Sequence, residues 1–163
     1  MKNRLVLIVL LVASFFIFLF FYNKYRVAPS FQLFQMPLYD VQGNQTSLES
    51  FRGKKLIITF YASWCRDCLV ELKALNEIKS ARFPDVEIIC ITDDPPEKLS
   101  DFIQKKNYPF RFFRSTKDFP ELKIYSIPVN YLVNSSGQVV MEKVGAIDWE
   151  DNSLVTRAMN LLQ

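Results

Sequence analysis

The chain has 163 residues, with 20 Lys or Arg against 17 Asp or Glu, and it contains no histidine. This length fits one globular domain with an appendage, and the basic residues alternate with acidic ones rather than forming a stripe for nucleic acid. The absence of histidine excludes Ser-His-Asp and Cys-His nucleophilic sites, and zinc or copper sites built on histidine. Three cysteines remain, Cys65, Cys68 and Cys90, which are too few for a disulfide framework or a four-ligand zinc site.

The N-terminal segment is strongly apolar. Residues 5–22, LVLIVLLVASFFIFLFFY, contain no charge and no proline. At about 1.5 Å per helical residue, this run is just long enough to cross a hydrocarbon core of about 30 Å. A cleaved signal peptide is the alternative, but the run is longer than the apolar h-region of a usual signal peptide, and bulky phenylalanines stand where small cleavage-site residues would be expected. We therefore predict an N-terminal transmembrane helix in a signal anchor at 1–27, followed by a soluble domain at 28–163.

Basic residues flank this segment on both sides. Lys2 and Arg4, together with the amino terminus, slightly outweigh Lys24 and Arg26. Because the more positive flank stays in the cytoplasm, we expect a single-pass protein of the cell membrane whose domain lies on the extracytoplasmic (periplasmic) side. Disulfides persist in that compartment, so a dithiol there would meet oxidised partners.

The soluble part alternates predicted strands and helices. In chain order these are a strand and turn at 38–44, a helical turn at 47–51, a strand at 56–61, a helix from Cys65 to a stop at 83–85, a strand at 86–92, a helix from 93 to about 107, an extended segment at 108–112, a helical turn at 121–125, a hairpin of 129–133 with 138–144, and a helix at 149–162. Asp93 and Asp94 predict an acidic N-cap for the second of the long helices. Strands joined by helical crossovers and followed by a hairpin predict an α/β fold whose mixed sheet has helices on both faces.

The decisive motif is Tyr61-Ala62-Ser63-Trp64-Cys65-Arg66-Asp67-Cys68, between a buried strand and a helix. A cysteine at a helix N-terminus faces unpaired backbone N–H groups and the positive end of the helix dipole, which stabilise a thiolate. Its partner three residues later is one helical turn along, within reach of a disulfide. We therefore expect Cys65 to be the exposed nucleophile and Cys68 the more buried resolving thiol.

Several stretches of the soluble part, together with this motif, match the pattern of one known family. They are Ala28-Pro29-Ser30-Phe31, Gly43, Leu48, 51–54, 60–68, Ile127-Pro128, 129–133, Gly137 and Gly145. In these residues the chain resembles the TlpA/ResA-like branch of the thioredoxin superfamily, a redoxin or AhpC/TSA-like domain. The resemblance implies a thioredoxin fold, a mixed central sheet flanked by helices, and a thiol–disulfide oxidoreductase that needs no cofactor. It further implies protein disulfides as substrates outside the cytoplasm, often in cytochrome c maturation, and a membrane dithiol carrier as electron donor.

The same resemblance assigns substrate-binding roles beside Cys65. It implies that Ile127-Pro128 is a cis peptide next to the active site, leaving the Ile127 backbone free to pair with an extended substrate segment. An ordinary proline at the start of a strand is the alternative, since few X–Pro bonds are cis. Trp64 is expected to flank Cys65 as an apolar contact surface, with packing against the domain as its alternative.

Glu71 lies three residues after Cys68, where the resemblance places a carboxylate that helps proton transfer at the resolving thiol. A solvated helix glutamate is the alternative. The chain also departs from the family pattern at three positions. Asp67 and Lys73 stand where proline is common, and Thr59 stands where thioredoxin itself carries a buried aspartate.

Two charged residues between the cysteines are expected to tune the redox potential. Arg66 should stabilise a Cys65 thiolate and Asp67 should oppose it. Because about 30 mV corresponds to about 1.4 kcal/mol for a dithiol couple, one such charge could change the direction of exchange. Cys90 falls inside an apolar strand, which predicts a buried structural thiol, with a regulatory role as the alternative.

Other functions of the same fold lead to different expectations. A peroxiredoxin-like thiol peroxidase usually has its peroxidatic cysteine after a Thr or Ser turn, unlike Trp64-Cys65. A copper-delivery module uses CxxxC with a histidine, which this chain lacks. A redox-inert binding module would show no disulfide reduction at all. The sequence predicts no metal or cofactor for any of the three cysteines.

Overall fold

The computed structural model describes residues 2–26 and 32–163. The predicted domain boundary between residues 27 and 28, and the family residues 28–31, lie outside the described residues. The helices are α1 (Lys2–Arg26), α2 (Arg66–Arg82), α3 (Pro96–Lys106) and α4 (Asn152–Leu161), and the strands are β1 (Leu38–Tyr39), β2 (Gln45–Thr46), β3 (Lys55–Phe60), β4 (Val86–Thr92), β5 (Arg111–Ser115), β6 (Val129–Val133) and β7 (Val139–Val144). Among the described residues, no helix combines the length and the apolarity needed to cross a membrane.

The strands of the described residues form one seven-stranded sheet in the order β2-β1-β5-β4-β3-β6-β7. Strands β3, β4 and β5 are parallel, and the remaining neighbours pair antiparallel. This confirms the predicted mixed sheet of a thioredoxin-like fold. The extended segment predicted at 108–112 is a strand that begins later, at Arg111, because its pairing with β4 starts where Arg111 lies opposite Ile89.

The three helices after α1 share one face of the sheet. Buried side chains of α2, α3 and α4, such as Leu72, Leu99 and Val155, belong to a single core cluster. The cluster on the other face is covered by 3-10 helices at Leu33–Gln35 and Glu49–Phe51, and by loops. The predicted placement of helices on both faces is therefore wrong for this part of the chain. The steps from β3 to β4 to β5 run in one direction, so right-handed crossovers place α2 and α3 on the same side. We call the two sides the helix-covered face and the loop-covered face.

The beginnings of two helices differ from the predictions. The N-cap of α3 is Pro95, so the predicted acidic N-cap is wrong. Helix α4 begins at Asn152, where the Asp151 carboxylate accepts hydrogen bonds from the first backbone N–H groups. Trp149, predicted inside that helix, is buried in the core before it. The segment at 121–125 was predicted to be a helical turn, but it forms an irregular turn and no helix.

Candidate active site

The two motif cysteines lie at the junction of β3 and α2 and form a disulfide. Cys65 is the N-cap residue of α2, and its Sγ accepts a hydrogen bond of 3.2 Å from the backbone N–H of Cys68. This places Cys65 Sγ at the positive end of the helix dipole, beside a donor that would also serve a thiolate. The predicted location of the pair is confirmed, and so is its ability to form a disulfide.

Exposure separates the two sulfurs. Cys65 is 8% exposed and Cys68 is fully buried. Cys65 is the less buried of the two, as predicted, but the expectation that it is exposed is wrong for this disulfide form, in which Cys65 also belongs to the core. Its Sγ lies 4.0 Å from the carbonyl oxygen of Ile127, which covers one side of it. Of the two cysteines, Cys65 is therefore the one that keeps some contact with solvent.

The Ile127–Pro128 peptide is cis, as the resemblance implied. Trp64 is 71% exposed, so the alternative that it packs against the domain is wrong. Between them lies a cavity of about 410 Å³. Its walls are mainly apolar and come from Trp64, Asp93, Phe119, Pro120, Ile124, Tyr125, Ser126 and Ile127. An apolar groove thus opens directly beside the more accessible sulfur.

The loop before Cys65 is held by a carboxylate that the sequence analysis did not assign. The backbone N–H of Ser63 donates to Asp94 Oδ2 at 2.7 Å, and the N–H of Asp94 donates to Thr92 Oγ1 at 3.1 Å. Asp94 is buried at the end of β4. This contact connects the active-site loop to the neighbouring strand, and the acidic pair that suggested a helix cap was the available signal for it.

Glu71 is buried, with 1% of its surface exposed, so the alternative of a solvated glutamate is wrong. Its Oε2 accepts hydrogen bonds from the backbone N–H of Ile147 at 2.8 Å and from Asn130 Nδ2 at 3.2 Å. Burial raises the pKa of Glu71 to about 7, against a lowering effect of these two hydrogen bonds and the charge of Lys143. The indole of Trp149 makes the weakest lowering contribution to this pKa.

A row of small polar side chains lies on the sheet beneath Glu71. Thr59 is opposite Cys90 on one neighbouring strand and opposite Asn130 on the other. The Thr59 hydroxyl donates to Asn130 Oδ1 at 2.7 Å. Cys90 is a buried free thiol, as predicted, and burial together with the nearby Glu71 carboxylate raises its pKa.

The remaining predicted site residues lie at the surface. Arg66 and Asp67 are both exposed in the first turn of α2, and their tuning roles stay predictions. Within the described ranges, no group of three or more Cys, Asp or Glu side chains is placed to hold a metal ion. Sequence reasoning missed Asn130, although a polar residue in the otherwise apolar run 129–133 was a signal for it.

Comparison with family models matches residues 26–148 to the AhpC/TSA family. The chain belongs to the AhpC/TSA family. Within this family it is 24% identical over 156 residues to the thiol-disulfide oxidoreductase ResA of Geobacillus kaustophilus, covering 93% of this chain and 90% of that protein. It is 26% identical over 117 residues to the sporulation thiol-disulfide oxidoreductase A of Bacillus subtilis, covering 68% of this chain and 70% of that protein.

Solved structures support the fold of this AhpC/TSA member. A thiol:disulfide interchange protein of the thioredoxin family from Chlorobium tepidum superimposes with a TM-score of 0.61 and 23% identity, covering 81% of this chain and 94% of that one. The relatives confirm the predicted TlpA/ResA-like branch of the thioredoxin superfamily. Together with the Cys65–Cys68 disulfide, they confirm the prediction of a thiol–disulfide oxidoreductase.

Proposed function

We propose that this oxidoreductase reduces disulfides of protein substrates outside the cytoplasm. The observation that carries the proposal is the pair itself: Cys65 at the start of α2, which keeps a small exposed surface, bonded to a fully buried Cys68. In the reduced protein, the Cys65 thiolate attacks a substrate disulfide, forms a mixed disulfide and releases one substrate thiolate. Cys68 then attacks Cys65 Sγ, which releases the second substrate thiolate and forms the disulfide seen here. Two electrons leave the pair in each cycle, and a dithiol donor must return them.

Glu71 is proposed to take the proton that Cys68 must lose before it attacks. The two residues are three apart on one helix and therefore neighbours on the same buried face. A carboxyl with a pKa of about 7 exchanges protons readily at neutral pH, which suits a general base. With histidine absent from the chain, this buried carboxylate is the proton acceptor best placed for the resolving thiol.

The groove beside Cys65 is proposed to bind the residues that flank a substrate cysteine. Its mouth carries the exposed Trp64, and its wall includes Ile127, whose carbonyl faces Cys65 Sγ. An extended segment could pair with the Ile127 backbone while its apolar side chains fill the groove. Trp64, Ile127 and Pro128 would thus orient a substrate disulfide toward the accessible sulfur.

We further propose that the N-terminal segment anchors the protein in the cell membrane with the domain on the extracytoplasmic side. The uncharged run at 5–22 and its basic flanks support this arrangement. Nearly all the described apolar side chains of α1 are exposed, and exposed apolar surface of this kind needs an apolar partner. The resemblance then suggests apocytochrome c as a substrate to test first, and a membrane dithiol carrier as donor.

The reduction potential of the full chain in detergent tests the direction of exchange. Equilibration with glutathione buffers and alkylation of free thiols would give the fraction of oxidised Cys65–Cys68 at each potential. We expect a value near that of thioredoxin, about −270 mV, as a reductant requires. A value near −120 mV would identify an oxidant and contradict the proposed direction.

Topology is tested in intact cells with a membrane-impermeant maleimide. In the Cys68→Ser variant, Cys65 remains as an accessible thiol, whereas Cys90 is buried. We expect labelling in intact cells and sedimentation with membranes, and no labelling of a Cys65→Ser, Cys68→Ser control. Labelling that appears after cell lysis alone would place the domain in the cytoplasm.

The thiol peroxidase alternative is tested with the same purified protein. A peroxidase would consume hydrogen peroxide at the expense of reduced Cys65. An oxidoreductase acting on protein disulfides would instead reduce insulin faster than it consumes peroxide. A redox-inert binding module would do neither.

A further inference from the structure

Asn130 joins the sheet to Glu71 by a side-chain hydrogen bond. It is the second residue of β6, is fully buried and points to the helix-covered face. Its Nδ2 lies 3.2 Å from Glu71 Oε2 and 3.5 Å from the carbonyl oxygen of Gly145. On the other side of the amide, Thr59 Oγ1 lies 2.7 Å from Oδ1. A buried polar group of this kind is retained at a cost to stability unless its hydrogen bonds are made, and here they are.

The chemistry of these partners determines which way the amide points. The Gly145 carbonyl can accept a hydrogen bond but cannot donate one, so the amide nitrogen must lie on its side. The Thr59 hydroxyl then donates to Oδ1. Asn130 therefore presents an N–H group, and not an oxygen, to Glu71.

The same reasoning applies to the two oxygens of Glu71. Oε2 receives two donors, the backbone N–H of Ile147 and the amide of Asn130, so it is an acceptor in either protonation state. Oε1 has no hydrogen-bond partner among the residues that the structure describes. A proton bound to Glu71 must consequently reside on Oε1.

We propose that Asn130, held in place by Thr59, is a positioning residue that keeps Glu71 Oε2 as an acceptor and Oε1 as the oxygen that binds the proton. The use of that proton site at Cys68 rests on the proposed function. In that step the Cys68 thiol gives its proton to Oε1, and the resulting thiolate attacks Cys65 Sγ.

Other groups also lie near this carboxyl, but they act on it differently from Asn130. Lys143 on β7 favours the ionised form by its charge, and the buried Cys90 thiol on β4 interacts with the carboxylate. The indole N–H of Trp149 lies near enough to the carboxyl to lower its pKa slightly, but within the described part of the chain it forms no hydrogen bond of normal geometry, to Oε1 or to any other group. None of these groups donates a hydrogen bond to Oε2, as Asn130 does.

The test is a carboxyl titration of Glu71 by NMR in the oxidised full chain in detergent, with ¹³C-labelled glutamate and Glu71→Gln for assignment. Asn130→Leu keeps a similar volume and removes the donor. Because a hydrogen bond to a charged group is lost, we expect the proton affinity of Glu71 to rise about tenfold. Thr59→Val, which frees the amide to rotate, should raise the affinity by a smaller factor, about threefold.

Val133→Ala is the matched control, because it lies on the same strand with its side chain on the loop-covered face. It should change the proton affinity of Glu71 by less than about twofold, although it removes core packing as well. If Asn130→Leu does not fold, the proton affinity of Glu71 in Thr59→Val decides the test alone. Titration of Glu71 at its original midpoint in the folded variants would overturn the proposal.

A second readout separates this inference from the proposed function. If Glu71 serves Cys68, the pH profile of insulin reduction should move with the NMR midpoint in Asn130→Leu. An NMR shift without a change in that profile would support the positioning role of Asn130 and contradict the role of Glu71 as proton acceptor.

Discussion

The two faces of the central sheet differ in what they bury. On the loop-covered face, the central strands contribute Ile58, Phe60, Ile89 and Ile91 to an apolar cluster. On the helix-covered face, the same strands carry a polar row, defined as Cys90, Thr59 and Asn130, with Glu71 above it on α2. Neighbouring residues of one strand can therefore differ in this way, because successive side chains of a strand point to opposite faces of the sheet.

The two faces are therefore expected to contribute differently to stability. An apolar core residue stabilises the fold by about 1.5–3 kcal/mol through removal of its surface from water. A buried carboxyl opposes folding when it is ionised, since its charge loses its hydration. The polar row and Glu71 lie on the face that packs against α2, whose first turn carries the cysteines. Under the proposed function, the polar row and Glu71 serve the active site, and the apolar loop-covered face stabilises the sheet that carries them.

The largest effect is expected at the cysteine pair. Cys65→Ser should lower the rate of insulin reduction by at least about a thousandfold, because the attacking thiolate is removed. As a matched variant, Phe60→Leu on the loop-covered face should leave the rate per folded molecule within about twofold of the unchanged chain. Retention of turnover in Cys65→Ser would contradict the proposed order of attack.

The largest stability effect is expected on the loop-covered face. Phe60 is fully buried there, in edge contact with the rings of Phe119 and Tyr131. Phe60→Ala should lower the free energy of unfolding by about 3–5 kcal/mol, through lost burial and the cavity left behind. Urea unfolding at pH 5 and pH 8 would measure this. The loss should be the same at both values, and a strong pH dependence would break the contrast between the faces.

Glu71→Gln should have the opposite signature, an effect that depends on pH. The pKa of Glu71 is raised from 4.5 to about 7 in the folded chain, so between these values the folded state binds more protons than the unfolded state. Stability linked to this group is complete below about pH 4.5 and is lost as the pH rises through 7. Relative to Glu71→Gln, the unchanged oxidised chain should thus lose about 3 kcal/mol between pH 4.5 and pH 8. Parallel unfolding curves across that range would show that Glu71 is not buried as described.

The smallest effect is expected at the edge of the groove. Trp64→Ala should change the free energy of unfolding by less than about 0.5 kcal/mol, because the side chain is mostly exposed. It should still lower kcat/KM for a protein disulfide about three- to tenfold, through lost apolar contact with the substrate. Reduction of a small disulfide, which does not fill the groove, is the control and should be nearly unchanged. Equal losses with both substrates would contradict a binding role.

Much of this molecule could be predicted from local patterns. The apolar runs at 56–61 and 86–92 predicted the two central strands, because strands buried on both faces are apolar along their length. The sequence from Tyr61 to Cys68 predicted the disulfide and its location at a helix start. The sequence also indicated Glu71 as a candidate carboxylate. It did not show whether Glu71 is buried or solvated, because a glutamate in a helix is compatible with both.

The sequence by itself determined the order of strands and helices, the redox pair and the absence of histidine chemistry, since all three depend on neighbouring residues or on composition. The tertiary structure decided that α2, α3 and α4 share one face, that Asp94 holds the active-site loop, and that Asn130 and Ile147 both donate to Glu71. These contacts join residues 31 to 76 positions apart. They arise from strand order and crossover direction, which no local pattern of side chains encodes.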